Sequence, residues 1–470
     1  MSVIYEELEA ESFRDRISTV DDDGKRIWLF PKRPRGKFTN ARSVLSWFLL
    51  AFLFGGPFIR IGGEPLLLLN VLERKFVLFG QIFWPQDFYL FLLAMLTLVV
   101  FITLFTVVYG RLFCGWVCPQ TIFMEMLFRK IEYAIEGDYM AQRKLAKQPW
   151  NREKVLKKGS KNLIFFIISV FIGNTFLAYI IGSESVISLI TDGPSAHPGG
   201  FAAMMIFSFV FFGVFARFRE QVCTNVCPYG RLQGVLLDRN SVVVTYDHKR
   251  GEKRGKMRKN EDREALGKGD CIDCHQCVAV CPTGIDIRNG TQLECINCTA
   301  CIDACDSIMD KVGKPRGLVR YDSEAGVADG KSWKLTTRAK AYTGVLVALL
   351  GVLVVLLVLR SDVETTILRT PGMTYQTRED GQISNLYNVT VLNKTNDTLP
   401  LHMELLEPKG TLQWVGDGIP QVSSQASMEG TLFLIIDRSE LSPMKTQVEV
   451  GVYSGDELIE TVSTNFMGPM

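Results

Sequence analysis

Residues 88–121 read FYLFLLAMLTLVVFITLFTVVYGRLFCGWVCPQT. The stretch 88–110 holds no charge. As a helix rising 1.5 Å per residue it is long enough to cross roughly 30 Å of hydrocarbon. Four more windows share that texture, at 43–59, 162–182, 199–216 and 341–359. A single apolar run can be the buried helix of a soluble protein. Five of them, with 30 Phe and a mean hydropathy of +0.14, describe a polytopic α-helical membrane protein. Immediately after 88–110 come Cys114 and Cys118, followed by Pro119. A near copy, EQVCTNVCPYG at 220–230, follows another apolar run and carries Cys223, Cys227 and Pro228.

Basic residues set the expected orientation, because short cytoplasmic loops are enriched in Lys and Arg. The 25–42 flank carries seven (Lys25, Arg26, Lys32, Arg33, Arg35, Lys37 and Arg42), loop 113–160 carries nine, and 183–200 carries none. About forty polar residues precede the first apolar run, and that run lacks the small-residue cleavage site of a signal peptide. The expected organisation is a cytoplasmic N-terminal tail over 1–42 and a membrane domain over 43–216. That domain has four transmembrane helices and a cytoplasmic loop at 111–160. A cytoplasmic ferredoxin-type domain follows at 217–340, then a fifth transmembrane helix at 341–360 and a periplasmic domain at 361–470. Loop 60–87 is apolar for an external loop and reads as interfacial or re-entrant. The formal net charge of +2 gives no support for nucleic-acid binding.

All 12 cysteines fall on the cytoplasmic side of this topology, and the exported tail has none. Disulfide staples show the reverse distribution, since they form outside the reducing cytosol. These thiols are instead suited to metal. CIDCHQCVAVCP (271–282) is C-x2-C-x2-C-x3-C-P, and CINCTACIDACD (295–306) repeats the spacing. This is the bacterial run that binds two [4Fe–4S] clusters, with the fourth Cys of each run serving the other cluster. One cluster is therefore assigned Cys271, Cys274, Cys277 and Cys305, and the second Cys295, Cys298, Cys301 and Cys281. Zinc also accepts C-x2-C pairs, but two complete four-Cys runs in tandem favour iron–sulfur. Asp306 stands where a proline often follows the last Cys, which would loosen a turn there. His275 reads as a residue beside the cluster or at the surface, not a ligand.

The pairs CGWVCP and CTNVCP share C-x-x-V-C-P with the close of the first ferredoxin run, CVAVCP. Proline keeps the preceding Cys out of helical geometry and suits the first position of a new helix. QTIFMEMLFRKIEYAI after Pro119 then reads as an amphipathic helix along the membrane surface. Cys118 is its N-cap, where the helix dipole favours a thiolate. Cys114, Cys118, Cys223 and Cys227 can converge on one site. A third iron–sulfur cluster or a soft ion such as Cu(I), which thiolates select, fits them equally. The four histidines (His197, His248, His275 and His402) lie outside the apolar runs, which excludes a bis-His haem within the membrane. No G-x-G-x-x-G opens a βαβ unit, so a Rossmann-bound cofactor is unsupported.

With these motifs in view, the chain resembles the FixG/CcoG/RdxA family, the cytochrome c oxidase accessory proteins of bacteria. The resemblance rests on the two C-x-x-V-C-P pairs, the di-cluster insert, the Cys-free tail and the segment PLLLLNVLERKFVLFGQIFWPQDFYL. It implies a cupric reductase of the bacterial inner membrane, which turns Cu(II) into Cu(I) during assembly of a cbb3-type oxidase. The implied partners are a copper-exporting P-type ATPase and oxidase assembly factors, with the electron donor open. A different class of reading stays beside it. Similar membrane ferredoxins of the NapH and NosR type carry electrons from quinol and have no copper chemistry of their own.

The tail alternates apolar and polar residues in NLYNVTVLNKTNDTLPLHMELLEP, TLFLIIDR and TQVEVGVYS, with Gly, Pro, Asn and Asp between them. That pattern predicts an all-β immunoglobulin-like sandwich of about seven strands, as the resemblance also implies, and such a domain reads as a docking module.

Overall fold

The computed structural model describes residues 19–469 apart from 21–22, 24, 72–74, 85–86, 259–260, 264, 331–334, 380, 396 and 417–420. The expected tail 1–42 lies outside the described residues up to position 18. Five helices are long and apolar enough to cross a membrane: α1 Lys37–Phe58, α2 Phe88–Tyr109, α3 Arg152–Ile181, α4 Pro198–Phe218 and α5 Thr337–Val358. Within α2 the few polar side chains are silenced locally. Thr97, Thr103 and Thr106 each donate to the carbonyl four residues back, at 2.8 Å, which satisfies a hydroxyl without water. The helix stops at Gly110, whose φ of 58° ends the α path and whose N–H reaches the Thr106 carbonyl. A Cβ there would also lie 2.6 Å from Val243.

Helix α3 begins ten residues before its apolar window. Asn151 caps it by accepting from Lys154 N at 2.8 Å. Its first turns, REKVLKKGSK, are charged and lie beyond the apolar stretch. The helices meet in an aromatic core of Leu50, Ile122, Phe123, Met124, Phe128, Phe165, Ile172 and Phe215. Phe128 stacks on Phe215 and meets Phe165 edge-on, each at 4.6 Å between ring centroids.

Two expectations are corrected here. The segment after Pro119 is helical but does not lie on a surface. Ile122, Phe123, Met124, Met126 and Phe128 are all buried, and so are Arg129 and Glu132. Its turn Ile122–Phe128 is π-wound, which widens the helix and moves side chains off a single amphipathic stripe. The buried charges find partners both one turn away and far along the chain. Arg129 pairs with Glu125 at 2.9 Å, Glu132 with Arg219 at 2.6 Å and Lys161 at 3.3 Å, and Arg26 with Glu220 at 2.9 Å. Burial pushes the Glu132 carboxyl up, but Arg219, Lys161 and Arg129 together hold it below the usual carboxylate range. Loop 60–87, expected to be interfacial or re-entrant, is built of strands in its described part. It forms an antiparallel meander of Leu67–Asn70, Lys75–Leu78 and Gln81–Phe83, with Leu68, Val77 and Ile82 as its core.

Between α4 and α5 the chain builds a small cysteine-rich fold. Strands Val243–Tyr246 and Val319–Asp322 pair antiparallel, with Val244 opposite Tyr321, and the helix Ala300–Lys311 packs beside them. Asp303 of that helix accepts hydrogen bonds from Phe38 N, Thr39 N and Thr39 Oγ1, at 3.2, 2.7 and 2.7 Å. A carboxylate thus caps the first turn of α1, where helix amides lack partners.

Residues 354–470 form a second compact unit. One sheet runs Gly410–Trp414, Ser427–Ile436, Ile383–Asn393 and Val363–Arg369, with Gln376–Thr377 added beside Ile383. The other runs His402–Glu407, Lys445–Ser454 and Glu457–Met467. Alternate residues face inward to a shared core that includes Tyr387, Val389, Val391, Leu432, Leu434, Val448, Val450 and Phe466. Tyr387 of the first sheet donates to the Asn465 carbonyl of the second at 2.9 Å.

Candidate metal centre

The eight ferredoxin-type cysteines surround two adjacent cavities. One is lined by Cys281, Cys295, Cys298 and Cys301 together with Cys277. The other is lined by Cys271, Cys274, Cys277 and Cys305. The four residues that spacing assigns to each cluster therefore share a cavity, and Cys277 stands between the two. The binding loops repeat each other in backbone conformation. Asp273 and His275 have φ of 52° and 54°, and Asn297 and Thr299 have 52° and 65°. These left-handed residues fold the chain so that successive amides turn inward, the type of concavity that suits iron–sulfur sites. Asp and Asn are the side-chain types that tolerate this conformation best. The D/N two residues after the first Cys of each run was the signal in the sequence for this geometry, and the spacing argument missed it.

Burial pushes the thiols up, to about 12 at Cys277, Cys295 and Cys305 and to about 11 at Cys298. Empty of charge, such thiols stay protonated; a coordinating thiol next to a metal is deprotonated outright. Among the described residues no three His, Cys, Asp or Glu side chains converge as ligands of one ion do. Each cavity is lined by the four cysteines that one cluster needs, so the donor set fits two [4Fe–4S] clusters. Buried arginines hold the loops. Arg263 donates to the Cys271 carbonyl at 3.0 Å, and Arg288 to Asp273 and Asp286 at 2.6 Å each. Their roles left no mark in the cysteine spacing. His275 is exposed and lies 2.9 Å from Arg288. Asp306 loosens no turn, because the helix Ala300–Lys311 continues through it and its carboxylate accepts from Gly317 N at 3.0 Å.

The two C-x3-C-P pairs are brought against this centre. Cys114 is buried and donates to Gln233 Oε1 at 3.0 Å, and Arg111 Nε donates to the same oxygen at 3.3 Å. Gln233 lies in the helix Pro228–Leu236 that follows Cys227, so the second pair's helix holds a thiol of the first. Burial pushes Cys223 up to about 12, with Cys118, Cys114 and Cys227 adding to it and Arg111 opposing. Cys114 rises to about 11 through burial, with Cys118 and Cys227 adding and Arg111 opposing. The four thiols thus form one electrostatic group. Cys118 and Cys227 occupy N-cap positions before Pro119 and Pro228, and neither side chain makes a cap hydrogen bond.

Contact with the cluster loops is direct. Gly115 lies so close to the Ile296–Asn297 backbone that an added Cβ would overlap the Ile296 carbonyl oxygen. Trp116 Nε1 donates to the Tyr321 hydroxyl at 3.2 Å, which donates to the Asn297 carbonyl at 3.1 Å. Cys223 shares a small cavity with Pro282, Thr283 and Ile296. Both pairs therefore abut the loops that carry Cys281, Cys295 and Cys298.

Comparison with known proteins agrees with this layout. Residues 218–324 match a "4Fe-4S dicluster domain" and residues 91–137 a "4Fe-4S binding domain". Residues 353–469 match a family described as "IG-like fold at C-terminal of FixG, putative oxidoreductase". RdxB of Cereibacter sphaeroides is 38 % identical over 391 residues, 79 % of this chain and 80 % of its own. The nitrogen fixation protein FixG of Rhizobium meliloti is 32 % identical over 469 residues, 90 % of this chain and 86 % of its own. A crystal structure of a FixG-related protein from Vibrio parahaemolyticus covers 24 % of this chain and 100 % of its own at 19 % identity. Its TM-score of 0.20 is too low to bear on the fold.

Proposed function

The chain belongs to the FixG/RdxA/RdxB family, and from that membership we propose that this membrane iron–sulfur oxidoreductase reduces Cu(II) to Cu(I). One observation carries the reading: the Gly115 backbone is pressed against Ile296–Asn297, so a four-thiol group abuts a cluster-binding loop. Bound by the eight ferredoxin-type cysteines, two [4Fe–4S] clusters supply electrons singly, which matches Cu(II) + e⁻ → Cu(I). The chain's own residues do the rest. A pair of thiols within the Cys114, Cys118, Cys223 and Cys227 group receives copper, and thiolates hold the softer reduced ion better than its precursor. Gln233 fixes the Cys114 sulfur by accepting from its thiol, and the Arg111 guanidinium favours the thiolate against the larger opposing effect of burial. Basic residues in the 25–42 and 113–160 segments put this face in the bacterial cytoplasm and the 361–470 domain in the periplasm. The product is then available to a copper-exporting P-type ATPase and to factors that assemble a cbb3-type oxidase.

A second reading draws on one finding. The "4Fe-4S binding domain" match at 91–137 contains Cys114 and Cys118 as its only cysteines, which favours iron at the membrane thiols. The chain is then an electron conduit of the NapH or NosR kind. The double variant Cys114→Ser, Cys118→Ser separates the two. For copper at the thiols, Cu(II) reduction is lost while iron stays at about eight per chain. Reduction at the normal rate by this variant overturns the copper assignment. A drop in iron from about twelve to about eight establishes the conduit's extra cluster.

A further inference from the structure

A cavity of about 390 Å³ opens at the head of α1, and its lining is basic. Arg33, Arg35, Arg42, Arg129 and Lys130 line it, against one carboxylate, Glu125, which Arg129 already engages at 2.9 Å. Arg42 is the second mark of a built site. It is 4 % exposed; its Nε donates to the Gly115 carbonyl at 2.6 Å and its Nη1 lies 3.5 Å from the Cys298 carbonyl. Its Nη2 is buried and has no hydrogen-bond partner among the described residues. A buried guanidinium N–H without an acceptor is costly. Among the described residues Lys130 meets neutral groups, Ser43 Oγ at 3.2 Å and the Trp47 ring at 5.9 Å from its centroid. Like charges at Arg33 and Arg42 add to burial in pulling its ammonium down.

The surroundings say which anion fits. Ser43 lines the cavity, and Trp47 lies one turn further along the same face of α1, 59 % exposed; Val44 and Phe48 beside it are 72 % and 68 % exposed. A cationic pocket thus passes directly into an apolar helix face headed by an interfacial Trp. Basic pockets between membrane helices take phosphate headgroups, while the flanking apolar face takes acyl chains. We infer that this cavity binds the phosphate of an anionic phospholipid from the leaflet on the thiol side, with its chains along Val44, Trp47 and Phe48. Through Arg42, that headgroup touches the side chain that clasps both Gly115 and Cys298.

The full chain, in detergent with its clusters loaded, is tested by native mass spectrometry against mixed phosphatidylglycerol and phosphatidylcholine. Phosphatidylglycerol is expected to be retained preferentially. Arg35→Gln with Lys130→Gln should weaken that retention by roughly thirty-fold, at about 1 kcal/mol for each basic residue near an anionic surface. Lys130→Arg, which keeps the charge, should restore the preference and guards against a folding defect. Equal retention of the two lipids overturns the proposal, as does undiminished preference in the double variant. If glycerol 3-phosphate is itself retained and displaces the lipid, the site takes a soluble phosphate ester and the lipid assignment fails. Cluster absorbance and iron content report on the functional reading separately, since neither Arg35 nor Lys130 contacts a thiol.

Discussion

Gly115 separates the two thiols of the first pair from being a generic helix end. Its lack of a side chain lets the Cys114–Cys118 turn lie on the backbone beside Asn297. Gly115→Ala places a methyl group against a carbonyl oxygen, and backbone has little freedom to yield. The substitution should cost about 1–3 kcal/mol, the usual penalty of forcing extra volume into a packed site. A lowered midpoint in thermal unfolding measures that cost. Cu(II)-driven reoxidation of the loaded protein should slow as well, because the turn is pushed off the cluster loop; an unchanged rate at reduced stability would detach the turn from electron delivery. Asp273 and Asn297 work at the same scale. Each adopts a conformation that most side chains avoid, so the cysteine spacing functions only with the right residue between the ligands.

At the scale of elements, apolar windows revealed helices wherever lipid alone decides burial. The window 88–110 and the helix Phe88–Tyr109 nearly coincide. Helix α3 outran its window because Asn151 and Lys154 stabilise charged turns that hydropathy does not register. The helix after Pro119 escaped for another reason. Arg129 and Glu132 read as the polar face of a surface helix, yet Arg219, Glu220 and Lys161 from distant segments neutralise them. Periodicity is local, and those partners are not. Their shared C-x-x-V-C-P pattern marked the membrane pairs as candidate metal thiols, whereas Gln233, Arg111 and Arg42 carry no motif and gain their contacts only through packing. In the C-terminal sandwich, Tyr387 joins the two sheets, and burial pushes its phenol up to about 12 from an ordinary 10. The folded state retains the proton longer than the unfolded chain does. Its contribution is therefore complete below pH 10 and is lost as pH climbs toward 12, by about 2–3 kcal/mol. Urea midpoints of segment 354–470, followed by Trp414 fluorescence, should fall across that window. Tyr387→Phe should cost about 1–2 kcal/mol near neutral pH and flatten the alkaline decline; an equally steep decline in the variant would assign it to another group.

At the scale of the molecule, residues 19–353 combine a lipid-exposed helical bundle with a cysteine-rich fold, and several contacts join them. Gly115 on Ile296–Asn297, Arg42 on Cys298 and Asp303 on Thr39 all tie the bundle to the second cluster's loop and helix. The third tie has a consequence in time. Asp303 is synthesised 264 residues after Thr39, a delay of roughly ten seconds to a minute at ordinary ribosome speeds. Throughout that interval the first turn of α1 is already made, but its amides have no cap. A nascent chain arrested before residue 303 should therefore show rapid amide exchange at Phe38 and Thr39, and one released past residue 311 should show protection. Protection in both would mean that another group caps the helix first. If the cap arrives with the helix that carries Cys301 and Cys305, cluster insertion and the completion of the first membrane helix become a single late event in biogenesis, and a cell short of iron would accumulate chains whose membrane anchor itself is unfinished.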